Sequence, residues 1–219
     1  LVTSVAAQKA YGSVTRSRLH PKGQWSKQTV TAEQAENTDL EWLPQEVVIY
    51  ANAMFEQNIA IVLAKNASFL GMDIARLGRT AAGEQLNQGR WRSALTIKRQ
   101  DNNSTHYEFI DRTEINQDSL ESIHGLGGEP VVGSMVWAAP QPLTEDQMNN
   151  LLAGSRDDRK GLSGDMRCGQ LEQGVVARYI GDSSRDARFW FSRIWRRTRK
   201  IRGMQPPKIP RYWPLQETV

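Results

Sequence analysis

Few residues in this chain have the types and spacing for chemistry. Residues 124–134 read HGLGGEPVVGS and resemble a nucleotide-binding loop. A phosphate loop needs Gly-Lys-Ser/Thr before a helix, and here a strand is expected to follow. The dinucleotide fingerprint needs a glycine where Pro130 stands. The stretch therefore reads as a glycine-rich turn. Asp157, Asp158 and Lys160 offer two carboxylates for a metal ion and an ammonium to polarise a phosphate, as a metal-dependent nuclease would. No upstream acid completes that set, and SRDDRK also reads as a solvated loop with internal ion pairs. His20, His106 and His124 lack the HxH or HxxxH spacing of zinc ligands. No GxSxG elbow is present. The single cysteine, Cys168, excludes an intrachain disulfide and a cysteine-based zinc site, and it suits a reducing compartment. These residues point to a protein without catalysis or cofactor of its own.

The densest signal lies in residues 185–203, RDARFWFSRIWRRTRKIRG, where eight of nineteen residues are Arg or Lys. Ser183 followed by Asp186 resembles a capping box, and Gly203 and Pro206 end the segment. At helical spacing, Ala187, Trp190, Phe191, Ile194, Trp195, Thr198 and Ile201 share one face. Arg193, Arg196, Arg199 and Lys200 fill the other, with Arg188 and Arg197 at its flanks. Phe189 falls inside the basic face, where a core anchor has no place. A helix with an apolar back and a basic front is expected of a phosphate-contacting element, and Arg favours bidentate contacts.

The net charge of +4 hides an asymmetry. Residues 1–30 carry +5, residues 31–150 carry −9 and residues 151–219 carry +8. Basic ends on an acidic middle suggest a face aimed at a polyanion. The expected partner is nucleic acid, DNA or RNA, met by Arg188, Phe189, Arg193, Arg196, Arg197, Arg199 and Lys200, with Arg16 and Arg18 from the N-terminal arm. The acidic middle would face other protein subunits. The function expected is a non-catalytic nucleic-acid-binding subunit of a larger nucleoprotein complex. The alternatives are an interaction protein docking on an acidic partner or anionic surface, and the nuclease. The same asymmetry also permits the basic ends to neutralise the acidic middle within the chain or in an oligomer.

The elements that must position these residues follow from periodicity. Val48, Ala51, Phe55, Ile59, Val62 and Leu63 recur at helical spacing behind Pro44, which predicts a helix over 44–65. Trp91, Ser93, Leu95 and Ile97 alternate with polar neighbours, and with DNNS as the turn they predict a hairpin over 90–112. A strand is expected at 130–138, a capped helix at 145–153 and the basic helix at 184–202. VVARYI reads as a fourth strand or a helical turn. The fold class expected is α+β, a small antiparallel sheet packed with three helices. Residues 1–39 read as a flexible basic arm, 40–203 as one globular domain and 204–219 as a proline-rich extended tail. Hydrophobic residues make up 39% and charged residues 24% of the chain, and no apolar run is long enough to cross a membrane as a helix. A cytoplasmic location is expected.

Overall fold

The computed structural model describes residues 1–12, 20–21, 23–101 and 104–213. Among them the strands are β1 (Gln8–Ala10), β2 (Ser26–Gln34), β3 (Asp39–Trp42), β4 (Val47–Ile49), β5 (Met54–Leu63), β6 (Ser68–Leu77), β7 (Arg90–Asp101), β8 (Ser104–Ile115), β9 (Val131–Ala138), β10 (Asp165–Leu171) and β11 (Gly174–Gly181). The α-helices are α1 (Gln117–Glu121), α2 (Glu145–Asp157) and α3 (Ser184–Ile201).

The first half of the chain winds between two sheets. β2, β5 and β7 lie parallel in a four-stranded sheet, while β3 and β4 lie parallel along β6 in a seven-stranded one. Each circuit crosses from one sheet to the other and returns one strand over. Asn37, Asn52, Asn66 and Asn87 stand at the corners with positive φ, a conformation in which asparagine is enriched. β8 then reverses against β7, β9 runs antiparallel beside β6, and β11 runs antiparallel beside β9.

β6 is covered on both sides, which suits its near-continuous apolar sequence SFLGMDIARL. Leu70, Met72 and Ile74 face a core closed by α2 and α3, together with Met135, Trp137, Tyr179, Trp190, Phe191 and Trp195. Phe69, Ala75 and Leu77 face the four-stranded sheet. The molecule is thus layered as sheet, sheet and helices, with the aromatic residues concentrated in the outer of its two cores.

This architecture corrects the expected small antiparallel sheet packed with helices: two large mixed sheets dominate. The helix expected over 44–65 is instead β4, an asparagine turn and β5. Ala51, Phe55, Ile59 and Leu63 are spaced by four, and four is also a multiple of the strand period of two. Phe55, Gln57, Ile59, Ile61 and Leu63 all turn inward from β5, and the intervening residues are more exposed. Pro44 lies in the link between β3 and β4 rather than at a helix start. Residues 26–34, read from sequence within the arm, form β2. The hairpin, the strand at 131–138 and α3 lie where periodicity puts them, and α2 starts at its Thr144–Gln147 capping box as expected but runs past the expected end at 153 to Asp157.

Candidate functional site

Ser183 caps α3, its hydroxyl accepting from the backbone N–H of Asp186, and the helix packs its apolar face on β6, β9 and β11. Its arginines do not form one solvent face. Arg199 meets Glu41 through two hydrogen bonds of 2.8 and 3.0 Å. Arg202, just past the helix end, reaches Glu41 and Asp39, each at 2.8 Å. Arg188 is only 4% exposed and pairs with Glu46, while burial lowers its guanidinium to a pKa of about 10. Arg197 holds Asp158 with contacts of 2.5 and 2.8 Å. It lies so close over α2 that a Cβ at Gly154 would sit 2.2 Å from its guanidinium. Arg185 pairs with Asp186 at 2.9 Å. Arg193 donates to the backbone carbonyls of Asp158 and Lys160.

The acidic partners come largely from the strands of the acidic middle: Asp39 and Glu41 on β3, and Glu46 beside β4. Arg178 on β11 does the same with Asp111 on β8, at 2.6 Å. Much of the charge asymmetry is therefore discharged inside the chain. Burial pushes the Glu41 carboxyl up, but hydrogen bonds from Arg199 and Arg202 bring it below the ordinary carboxylate range. What remains outward on α3 is a stripe of Phe189, Ser192, Arg196 and Lys200. Arg196 and Lys200 are exposed, and the Arg185 guanidinium sits 5.9 Å from the Phe189 ring centre. Arg16 and Arg18 lie outside the described residues.

A second polar constellation was not legible as a motif. Asp73 points from the middle of β6 into the space between the sheets, where the Ser93 hydroxyl donates to it at 3.1 Å. A cavity of about 20 Å³ there is lined by Trp42, Asp73, Ser93, Leu95, Asp111 and Ser134, among others, room for about one water molecule. Asp73 keeps some accessible surface, and the cavity is where a deeply placed carboxyl can find it. Burial raises its pKa to about 6 against hydrogen bonds from Ser93 and Gln57, with the Asp111 charge adding to the rise. The sequence signal was a lone acid between Met72 and Ile74.

A raised pKa makes stability fall with pH. Between the ordinary 3.8 and about 6 the folded chain holds a proton that the unfolded chain releases. Below that window the two states bind alike, and above it the full penalty is present. Asp73→Asn should therefore stabilise the fold at pH 8 by about 2 kcal/mol, discounted for the water-sized cavity, and by almost nothing near pH 4. Urea denaturation of both proteins at the two pH values measures this; equal differences at both would show that Asp73 is ionised and solvated.

The remaining candidates do not converge. Asp158 is held by Arg197, while Asp157 and Lys160 are exposed at the end of α2 and the loop beyond it. His20, His106 and His124 are all exposed. Among the described residues, no group of three or more His, Cys, Asp or Glu is placed to hold a metal ion. Cys168 lies on β10, where burial raises its thiol pKa. Gly125, Gly127 and Gly128 lie in the turn from α1 to β9, and a Cβ at Gly125 would meet the Ser119 carbonyl at 1.9 Å; Gly133 lies within β9. No helix among the described residues is long and apolar enough to cross a membrane.

Comparison with known proteins adds the context that geometry lacks. The UreD family, described as urease accessory protein, matches residues 1–214. Urease accessory protein UreD of Parasynechococcus marenigrum (strain WH8102) is 62% identical over 217 residues, covering 99% of this chain and 70% of the relative. The proteins of the same name from Synechococcus sp. (strain CC9902) and Prochlorococcus marinus (strain MIT 9303) are 58% and 55% identical over 217 residues, covering 70% and 73% of their lengths and 99% of this chain. These matches overturn the nucleic-acid-binding subunit of a nucleoprotein complex, and nucleic acid as the partner of Arg188, Phe189, Arg193, Arg196, Arg197, Arg199, Lys200, Arg16 and Arg18. The physical reason is visible in α3: Arg188, Arg197 and Arg199 are engaged by carboxylates of the chain itself.

Proposed function

This chain belongs to the urease accessory protein UreD family, and on that premise we propose that it assists the maturation of urease as a non-catalytic chaperone of nickel insertion. It does so by binding proteins, namely urease and other accessory proteins. The observation that carries this reading is the family match over residues 1–214, close to the whole chain. The structure supports it in kind. The inward ion pairs make α3 a clasp between the helical layer and β3 and β4, so the outer surface is free for protein contacts. Nickel is cargo in this reading and not a resident cofactor. The cytoplasm is the proposed location, in keeping with one free thiol on β10.

Co-purification tests the binding half of the proposal. The tagged chain, co-expressed with the urease subunits and the remaining accessory proteins, should retain urease through washing at moderate salt. A tagged chain that folds, yet retains neither urease nor an accessory protein, would remove the proposal.

A further inference from the structure

Arg185, Arg188, Arg197, Arg199 and Arg202 meet carboxylates of the same chain, and Arg193 donates to backbone carbonyls. Arg196 and Lys200 differ. Both are exposed, and neither side chain has a hydrogen-bond or ion-pair partner among the described residues. They stand four residues apart on the outward side of α3, in line with Ser192 and the partly exposed Phe189. At the helical rise, Phe189 and Lys200 are separated by about 16 Å along the axis. The stripe thus offers an aromatic foothold at one end and two cations with unmet charge at the other, on a helix whose opposite face is locked into the core.

We propose that this stripe (Phe189, Ser192, Arg196 and Lys200) is the docking surface for an acidic patch on a protein partner. The proposal rests on the reading of the chain as a protein-binding accessory factor and places one of its interfaces. Charge complementarity sets the partner's chemistry: carboxylates opposite Arg196 and Lys200, and an apolar socket for Phe189. Aromatic and Arg side chains are the residue types that most often anchor interfaces, and exposed charge pairs mainly govern association rate and salt dependence. Two unpaired cations are too few for a polyanion, since nucleic-acid affinity is built from many neutralised phosphates. They suffice to orient a protein contact. The rigid helix also lowers the ordering penalty on binding.

The test titrates the full chain, R196E/K200E and F189A against urease apoprotein and each other urease accessory protein, purified singly, at two salt concentrations. For one partner, the double reversal should weaken binding tenfold or more and flatten the salt dependence. F189A should weaken binding to that same partner about fivefold, and melting temperatures should stay at the wild-type value. R196Q/K200Q, which removes charge without repulsion, should fall between wild type and the reversal; this ranking keeps the test decisive if the reversal perturbs folding. If the wild type binds a urease partner and every variant keeps that affinity, the stripe is not the docking surface and the proposed function stands. If the wild type binds none of these proteins, both fall. Variants that lose affinity for anionic vesicles or duplex DNA but for no protein also overturn the proposal.

Discussion

Glu41→Ala should destabilise the fold by about 3–5 kcal/mol, the range for removing one partner of a buried charge pair. Glu41 is 2% exposed and accepts from Arg199 at 2.8 and 3.0 Å and from Arg202 at 2.8 Å. The Arg202 side chain is itself 5% exposed. Without Glu41, Arg199 loses its carboxylate, and Arg202 keeps only Asp39 at the rim. Most of the loss is the desolvation of guanidinium groups that can no longer be matched, so it exceeds the value of an exposed pair, about 0–1 kcal/mol. Sign follows from the lowered pKa: the contribution is full above the ordinary 4.5 and disappears as pH falls through the folded value. Urea denaturation at pH 7 and at pH 3 should show a larger difference between wild type and variant at the first than at the second. Replacing Arg196 instead should change stability by no more than about 0.5 kcal/mol, because it is exposed and unpaired.

Trp190→Ala should cost about 3–5 kcal/mol for a different reason. Trp190 has 0% exposure and sits where α3 meets α2, with its indole N–H donating to the Ser155 carbonyl at 2.8 Å and the Phe191 ring centre 5.4 Å away. Its removal leaves a cavity and an unmatched carbonyl. Trp190→Phe separates the two effects, since it keeps much of the volume and loses the hydrogen bond; a loss of about 1–3 kcal/mol is expected. Phe189→Ala, one residue away on the outward side, should stay near wild type in chemical denaturation. Equal losses at 189 and 190 would mean that the facing of α3 is wrong.

Local periodicity was legible where an element buries one face. The alternation of Trp91, Ser93, Leu95 and Ile97, the capping pair Thr144 and Gln147, and the apolar face of α3 all survive in the structure. The winding of the first half was not, because its signals are long-range. Residues at 51, 55, 59 and 63 fit a helix and a strand equally, and only the parallel neighbours β2 and β7 decide between them. The turn asparagines at 37, 52, 66 and 87 carried that information, as repeated residues suited to positive φ. Charge misled in the same way. The basic density of α3 is visible in sequence, but its neutralisation by Asp39, Glu41 and Glu46 depends on contacts across about 140 residues or more. Asp73 was hidden because a single carboxyl in an apolar strand has no spacing to recognise.

The most direct test of a role in urease maturation is the nickel content of urease itself. Urease purified from cells expressing its subunits and the other accessory proteins, with and without this chain, should be assayed for nickel by mass spectrometry. A role in maturation predicts near-stoichiometric nickel and full activity with the chain, and at least tenfold less of both without it, at unchanged urease yield. Equal nickel loading in the two preparations would contradict it.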